Sequence, residues 1–245
     1  MPRPSLARRC VAEALATFAL VFAGCGAIVA NAERGGIGSN GIAVVFGLVI
    51  MVMVYATGHV SGAHINPAVT IGFVASRHFP AREAVAYVPA QLAGAILGAT
   101  MLRVTWSGTP AALGATVPTV GSAAAFTYEL VLTAFLMFVI MAVATDTRAV
   151  GGAAAIAIGG TVALDALFGG PVTGASMNPA RSLGPALVAA EWTDLWLYLT
   201  APLAGALVGA VAYQAIRGQR ESPGARAGSA GVDLEDGKRT LKTSG

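Results

Sequence analysis

The sequence contains two copies of the tripeptide Asn-Pro-Ala, at Asn66-Pro67-Ala68 and at Asn178-Pro179-Ala180. Asn is a good helix cap and Pro fits the first helical turn, so a single copy predicts only the start of a helix. Here each copy opens an apolar stretch, 66–76 or 178–190, that is too short to cross a membrane. If the two helix N-termini meet, they bring two positive dipole ends and two Asn side chains to one point. Each Asn oxygen caps its helix, and we expect the NH2 group to be free to face a lumen. We expect such a point to hold a water molecule by its oxygen and to repel cations.

Arg181 directly follows the second tripeptide. From its position alone, it is either an anchor at the membrane interface or a charged group in a pore constriction. In a constriction it would repel cations and donate hydrogen bonds to solute oxygens. The corresponding residue after the first tripeptide is Val69, so the internal symmetry does not require a charge here. We therefore favour the pore position.

Glu13 and Glu129 lie inside long apolar segments, where ionisable residues are functional candidates. A proton relay through them would make the protein a coupled transporter. The alternative is a scaffold in which each carboxylate accepts hydrogen bonds from the backbone of a nearby loop. The equivalent positions of the two residues in the two halves of the chain favour the scaffold.

Three further polar residues are candidates for local roles. The loops before the two tripeptides are predicted at about 59–65 and 169–177. His59 and His64 flank the first loop, and we expect them to brace it by hydrogen bonds. No acid or Cys lies near them in the sequence, so no metal site is predicted. Asp165 is a candidate to cap or brace the fifth apolar segment. No nucleophile, metal cluster or nucleotide-binding loop indicates an enzyme, so no catalytic residue is assigned.

Long apolar segments must position these residues. The 245-residue chain is 56% hydrophobic and only 11% charged, with a mean hydropathy of +0.71, whereas about a quarter of a soluble domain is charged. A helix needs about 20 apolar residues to cross a bilayer. We place six such spans at 10–31, 41–59, 83–103, 123–144, 150–167 and 194–216. The predicted fold class is an all-α membrane protein with six transmembrane helices and two half-helices.

The chain repeats itself at an offset of about 112 residues. Leu92–Ala99 recurs as Leu203–Ala210, and the two tripeptides and the two glutamates recur in the same order. We therefore predict one domain over 1–217, built from repeats at about 8–105 and 122–217. Because each half has three spans, the second half inserts upside down, and inverted repeats place a functional site near the bilayer midplane.

Basic residues fall on one predicted side of the membrane. They cluster at Arg3–Arg9, at Arg77–Arg82, at Arg148 and from Arg217 onward. This pattern predicts cytoplasmic termini and explains the net charge of +3 without nucleic-acid binding. Residues 218–245 are polar and are expected to form a disordered cytoplasmic tail. The predicted location is the cell membrane, plasma or bacterial inner, with lipid around the spans.

The segments Ser61–Thr70 and Gly174–Ser182 resemble the two signatures of the major intrinsic proteins, the aquaporins and aquaglyceroporins. The resemblance covers about residues 8–217. It implies the aquaporin fold, a homotetramer with one pore in each subunit, and no cofactor. It also implies that Glu13 and Glu129 brace pore loops. By the same similarity, the constriction around the motif arginine is formed by Phe46, Ala166, Ala175 and Arg181, of which the first three would otherwise be read as helix-packing residues.

Residues around the second motif indicate which branch of this family the sequence resembles most. Strict water channels of this family usually carry His at the position of Ala166, and glycerol facilitators usually carry Asp at the position of Ser182. The flanking Ser176-Met177 and Ser182–Pro185 look more like the nodulin-like intrinsic proteins and their bacterial relatives. We expect a passive channel for water and small neutral solutes, such as polyols or uncharged metalloid acids, that excludes protons and ions. The alternatives are a strict water channel and a proton-coupled secondary transporter.

Overall fold

The computed structural model describes residues 3–146 and 151–217, and it is built from helices. Six helices in these ranges are long and apolar enough to cross a membrane, as predicted. They are α1 (Leu6–Arg34), α2 (Gly38–Ser61), α4 (Ala81–Thr105), α5 (Ser122–Thr145), α6 (Ala154–Thr173) and α8 (Leu195–Ile216). The two half-helices are α3 (Pro67–Ala75) and α7 (Pro179–Ala189). Helix α1 contains a π-helical turn at Val21–Cys25, and short 3₁₀ turns lie at Pro110–Gly114 and Gly151–Ala153.

The ends of α2 and α6 explain why the loops before the half-helices are short. Gly62 and Gly174 follow these helices in the left-handed conformation, with φ of 91° and 84°, which glycine adopts without a Cβ penalty. The predicted loops, 59–65 and 169–177, were therefore too long. Helix α6 continues through Pro171 because a proline near a helix end costs few hydrogen bonds, and membrane helices tolerate proline.

Glycines allow the third long helix of each half to pack closely on the first. A Cβ on Gly94 of α4 would lie 2.1 Å from the carbonyl oxygen of Ala14 in α1. A Cβ on Gly205 of α8 would lie 2.3 Å from the carbonyl oxygen of Leu130 in α5. Both helix pairs thus bring backbone against backbone, as small residues permit in lipid. The same contact in both halves agrees with the sequence repeat.

Polar contacts also join the starts of these helices. The Arg9 guanidinium of α1 lies 2.7 Å from a carboxylate oxygen of Glu83 in α4, and Arg3 reaches the same carboxylate at 3.0 Å. In the second half, the Ser122 hydroxyl donates to Asp194 at 3.0 Å, at the starts of α5 and α8. One compact unit extends to Tyr213. The predicted tail, 218–245, and the basic residue Arg148 lie outside the described residues.

Candidate pore

The two asparagines of the repeated tripeptides lie together and cap the two half-helices. The side-chain oxygen of Asn66 accepts from the backbone N–H of Ala68 at 2.8 Å. That of Asn178 accepts from the N–H groups of Ala180 at 3.0 Å and Arg181 at 3.3 Å. The N-termini of α3 and α7 therefore meet, as the inverted repeat predicts.

Each asparagine also bonds the loop of the opposite half. Asn66 Nδ2 donates to the carbonyl of Met177 at 2.7 Å, and Asn178 Nδ2 donates to the carbonyl of Ile65 at 2.9 Å. We expected both NH2 groups to be free to face a lumen, and this expectation was too simple. An amide carries two N–H donors. Each asparagine therefore donates one N–H to the opposite loop and has one N–H left that can face a lumen.

The loops before the half-helices carry non-glycine residues in a strained conformation. Ala63 and Ile65 in the first loop have φ of 48° and 57°, and Ala175 and Met177 in the second have φ of 40° and 52°. A left-handed non-glycine residue persists only where surrounding contacts hold it, and such residues cluster at functional sites. Each loop therefore contains two strained residues, and each needs surrounding contacts that hold them.

Glu13 and Glu129 supply this support from outside the loops. Both carboxylates are fully buried. Glu13 accepts from the N–H groups of His64 at 2.9 Å and Ile65 at 2.7 Å. Glu129 accepts from those of Ser176 and Met177, both at 2.8 Å. Each also accepts a hydroxyl at 2.7 Å, from Ser61 or Thr173. The geometry is that of a scaffold.

Two tyrosines that the sequence reasoning missed complete the same support. The Tyr87 hydroxyl donates to the carbonyl of Ser61 at 2.8 Å, and the Tyr198 hydroxyl donates to that of Thr173 at 2.6 Å. Both are fully buried. They stand at equivalent positions, each five residues before the repeated Leu92 or Leu203 segment. A position-by-position comparison of the two halves would have found them.

The two histidines have different surroundings. His64 is buried in the first loop, where its Nδ1 lies 3.1 Å from the hydroxyl of Thr70 and its ring packs on Phe73, Phe79 and Tyr87. His59 lies within the last turn of α2 and is exposed, because α2 continues to Ser61. Among the described residues its ring makes no hydrogen bond to the loop, so the structure does not give it the bracing contact that we predicted.

Arg181 is held by a loop that no sequence motif pointed to. Its Nη1 donates to the carbonyl of Gly114 at 2.8 Å, and its guanidinium lies 4.9 Å from the centroid of the Phe46 ring. The side chain is almost fully buried. Gly114 has φ of 76° and packs on Cys25. The π-helical turn of α1 and the 3₁₀ turn before Ala115 thus position the arginine.

One cavity brings the predicted pore residues together. Its wall includes Phe46, Ala166, Ala175, Arg181, Asn66 and Asn178. Most of the remaining lining is aliphatic, and neither cysteine is among the described residues that line it. Asp165, next to Ala166, is absent from this wall and is fully buried. Within the described residues, no group of three or more His, Cys, Asp or Glu side chains could hold a metal ion.

Comparisons with known proteins agree with this geometry. The family described as major intrinsic protein matches residues 1–213. Aquaporin NIP1-4 of Oryza sativa subsp. japonica is 54% identical over 207 residues, which are 84% of this chain and 76% of the relative. Nodulin-26 of Glycine max is 52% identical over 211 residues, 86% of this chain and 78% of the relative. The X-ray structure of the aquaglyceroporin from Plasmodium falciparum aligns with a TM-score of 0.77 at 28% identity, over 86% of this chain and 97% of that one.

Proposed function

The chain belongs to the major intrinsic protein family of membrane channels, and on this premise we propose that Phe46, Ala166, Ala175 and Arg181 form its selectivity filter. The protein is a multi-pass membrane channel for water and small neutral solutes. The observation that carries the filter proposal is that all four side chains share one cavity wall with both motif asparagines.

The filter has one polar side and three apolar ones. Arg181 presents N–H donors, while Phe46 presents a ring and the two alanines present only methyl groups. A polyol fits such a ring with its hydroxyls toward Arg181 and its carbon edge against the apolar wall. An uncharged metalloid acid offers the same hydroxyl donors and acceptors. Because pore width and lining donors decide selectivity, we propose that the channel passes these solutes as well as water.

The asparagines and the arginine together oppose the passage of protons and cations. Helix N-termini carry partial positive charge, and those of α3 and α7 meet where Asn66 and Asn178 lie. A water molecule there meets donors from two sides and must turn its oxygen toward them. It then cannot relay a proton along a file of waters. Arg181 adds a full positive charge in the same cavity.

The surroundings of the two glutamates support a passive channel over a proton-coupled transporter. Both oxygens of each carboxylate accept hydrogen bonds from N–H groups of the strained loops or from a neighbouring hydroxyl. Neither lies in the cavity wall among the described residues. A relay residue must exchange its proton with the transported path, and a buried scaffold has no such exchange. We propose that Glu13 and Glu129 brace the loops throughout transport.

We also propose that the channel works as a homotetramer with one pore per subunit, in the cell membrane, with both termini in the cytoplasm. Large aliphatic and aromatic side chains along α2, such as Leu48, Val52 and Tyr55, are about half exposed. Such a face suits lipid or a neighbouring subunit. Cross-linking in membranes and glycosylation-site tagging of each terminus test the two statements separately.

The function is tested by stopped-flow light scattering of proteoliposomes. Water, glycerol and boric acid gradients are applied to vesicles with and without protein. We expect vesicles with protein to relax faster than protein-free vesicles under all three gradients. Faster water relaxation alone would make the protein a strict water channel, and solute accumulation driven by a pH gradient would make it a coupled transporter.

A further inference from the structure

Asp165 is a buried acid without a hydrogen bond. It lies in α6, immediately before the filter residue Ala166, and its side chain is 0% exposed. Neither carboxyl oxygen has a hydrogen-bond partner among the described residues. The other buried side chains with an unpaired atom in the described part of the chain each bond through a different atom; they are Arg9, Gln91 and Arg181. Acids inside membrane spans are costly and mark functional positions.

Its neighbours place Asp165 near Glu129 of α5, on the face of α6 that carries Gly169. Glu129 of α5 is close enough to interact electrostatically with Asp165. One turn further along the same face of α6, a Cβ on Gly169 would lie 2.6 Å from Leu132 of α5 and 3.5 Å from the Cβ of Ala175. The charged or titratable groups that act on Glu129 from the other packed helices are Arg181 of α7 and Tyr198 of α8. An ionised Asp165 would thus face a second acid.

The two glutamate scaffolds differ by one donor. Glu13 accepts a fourth hydrogen bond, at 2.8 Å, from the side-chain amide of Gln91. In the second repeat the equivalent position is Pro202, because Gln91 precedes Leu92–Ala99 and Pro202 precedes Leu203–Ala210. Proline has no side-chain donor. The Glu129 oxygen that accepts from Met177 therefore lacks the second donor that the matching Glu13 oxygen receives.

We propose that Asp165 is a neutral carboxylic acid that, through one buried water molecule, supplies Glu129 with the donor that Gln91 supplies to Glu13. An unpaired carboxylate is far more costly to bury than its protonated form. Buried polar groups without protein partners are commonly satisfied by an internal water. The acid O–H donates to the water, and the water donates to Glu129. Asp165 is then a positioning residue for the loop Gly174–Asn178, which carries Ala175.

This inference rests on the proposed filter only where it concerns solute selectivity. Three single variants in proteoliposomes test it. Asp165→Asn keeps the size and a donor, and we expect it to retain the glycerol-to-water permeability ratio. Asp165→Leu keeps the size without a donor, and we expect that ratio and the thermal stability to fall. Thr161→Val removes a hydroxyl from the same face of α6 that, among the described residues, bonds only its own helix, and we expect no change.

A rescue variant tests whether Asp165→Leu acts by removing a hydrogen-bond donor to Glu129. Pro202→Gln places an amide where Gln91 stands in the first repeat. We expect the double variant Asp165→Leu/Pro202→Gln to regain the stability and permeability ratio that Asp165→Leu loses. Failure of rescue, with Pro202→Gln alone still functional, would overturn the donor role. Equal losses in Asp165→Asn and Asp165→Leu would show that an ionised acid is required.

Infrared difference spectroscopy tests the protonation state independently of folding and of the filter. The wild type minus Asp165→Asn spectrum at neutral pH should show the carbonyl stretch of a protonated carboxylic acid, shifted in D2O. Its absence would mean that Asp165 is ionised and would overturn the proposal even if every variant lost activity. Presence of the band in a protein that conducts only water would leave this inference standing and refute the proposed solute range.

Discussion

At the scale of single residues, the proposed filter combines one arginine with an aromatic ring and two alanines. The Arg181 guanidinium is held by the Gly114 carbonyl and the Phe46 ring. Ala166 and Ala175 add only methyl groups to the same cavity. The ring is therefore wider than one with a large side chain at either alanine position, and its donors lie on one side.

The Ala166→His variant tests this width. The imidazole would narrow the ring and place a second polar group opposite Arg181. A barrier higher by about 1.4 kcal/mol lowers flux about tenfold, and we expect at least that loss for glycerol or boric acid, with most water flux retained. Stopped-flow relaxation measures both. The control is Phe168→His, which places the same imidazole at an exposed position of α6. Unchanged glycerol flux in Ala166→His would contradict the filter assignment.

Cysteine positions predict the response to mercurials. Cys25 is fully buried near Gly114, and neither Cys25 nor Cys10 is among the described residues that line the cavity. We expect mercury chloride to leave water permeability largely unchanged. The variant Ala175→Cys introduces a thiol into the lining and should become sensitive. Strong inhibition of the wild type that disappears in Cys25→Ser would show that this cysteine reaches the pore.

At the scale of elements, close helix crossings and braced loops determine where the half-helices stand. Gly94 and Gly205 let α4 and α8 approach the backbones of α1 and α5. Those first helices carry Glu13 and Glu129, which hold the strained loops. A change in the crossing would therefore move the carboxylates and the asparagines with them.

The variant Gly94→Ala tests the crossing. Its Cβ would meet the Ala14 carbonyl oxygen at 2.1 Å, so the helices must separate. Overpacking of this kind costs about 1–3 kcal/mol or more, and we expect a lower unfolding temperature in detergent and reduced permeability. In Gly160→Ala the added methyl meets nothing within 4 Å, and alanine is favoured over glycine in a helix by about 1 kcal/mol. A Gly94→Ala protein as stable as this control would refute the role of the close approach.

At the scale of the whole molecule, the duplication creates a central site that neither half contains. Each asparagine caps its own half-helix and bonds the loop of the other half. The positive ends of α3 and α7 are thereby fixed at one level of the cavity. Arg181 lies in the same cavity and adds its charge. The proposed barrier to cations is therefore a property of this assembly.

The resulting prediction is high water flux without proton or potassium flux. Proteoliposomes with an internal pH dye and an imposed pH or potassium gradient should relax no faster than protein-free vesicles. Water relaxation of the same preparation serves as the activity control, and gramicidin serves as the positive control for cation flux. Steady cation currents from the wild type in planar bilayers would contradict the barrier.

The sequence alone determined the fold and the central motifs of this protein. Apolar segment lengths set six spans, since a bilayer fixes the length of a helix that crosses it. The repeated Asn-Pro-Ala predicted two capped half-helices, and both asparagines cap them. Family resemblance supplied the filter residues other than Arg181, and the role of all four stays a prediction, although all four share the cavity wall with the asparagines.

Only the tertiary structure decided which groups are held and which are free. The sequence placed His59 in a loop, but α2 continues past it, because a helix end depends on the glycine that can terminate it. The bond from Arg181 to Gly114 spans 67 residues, and no local pattern encodes such a contact. The proposed protonation state of Asp165 depends on its burial and on the absence of a hydrogen-bond partner among the described residues. Burial and the lack of a partner both follow from helix packing, because every helix around Asp165 helps to exclude water from it.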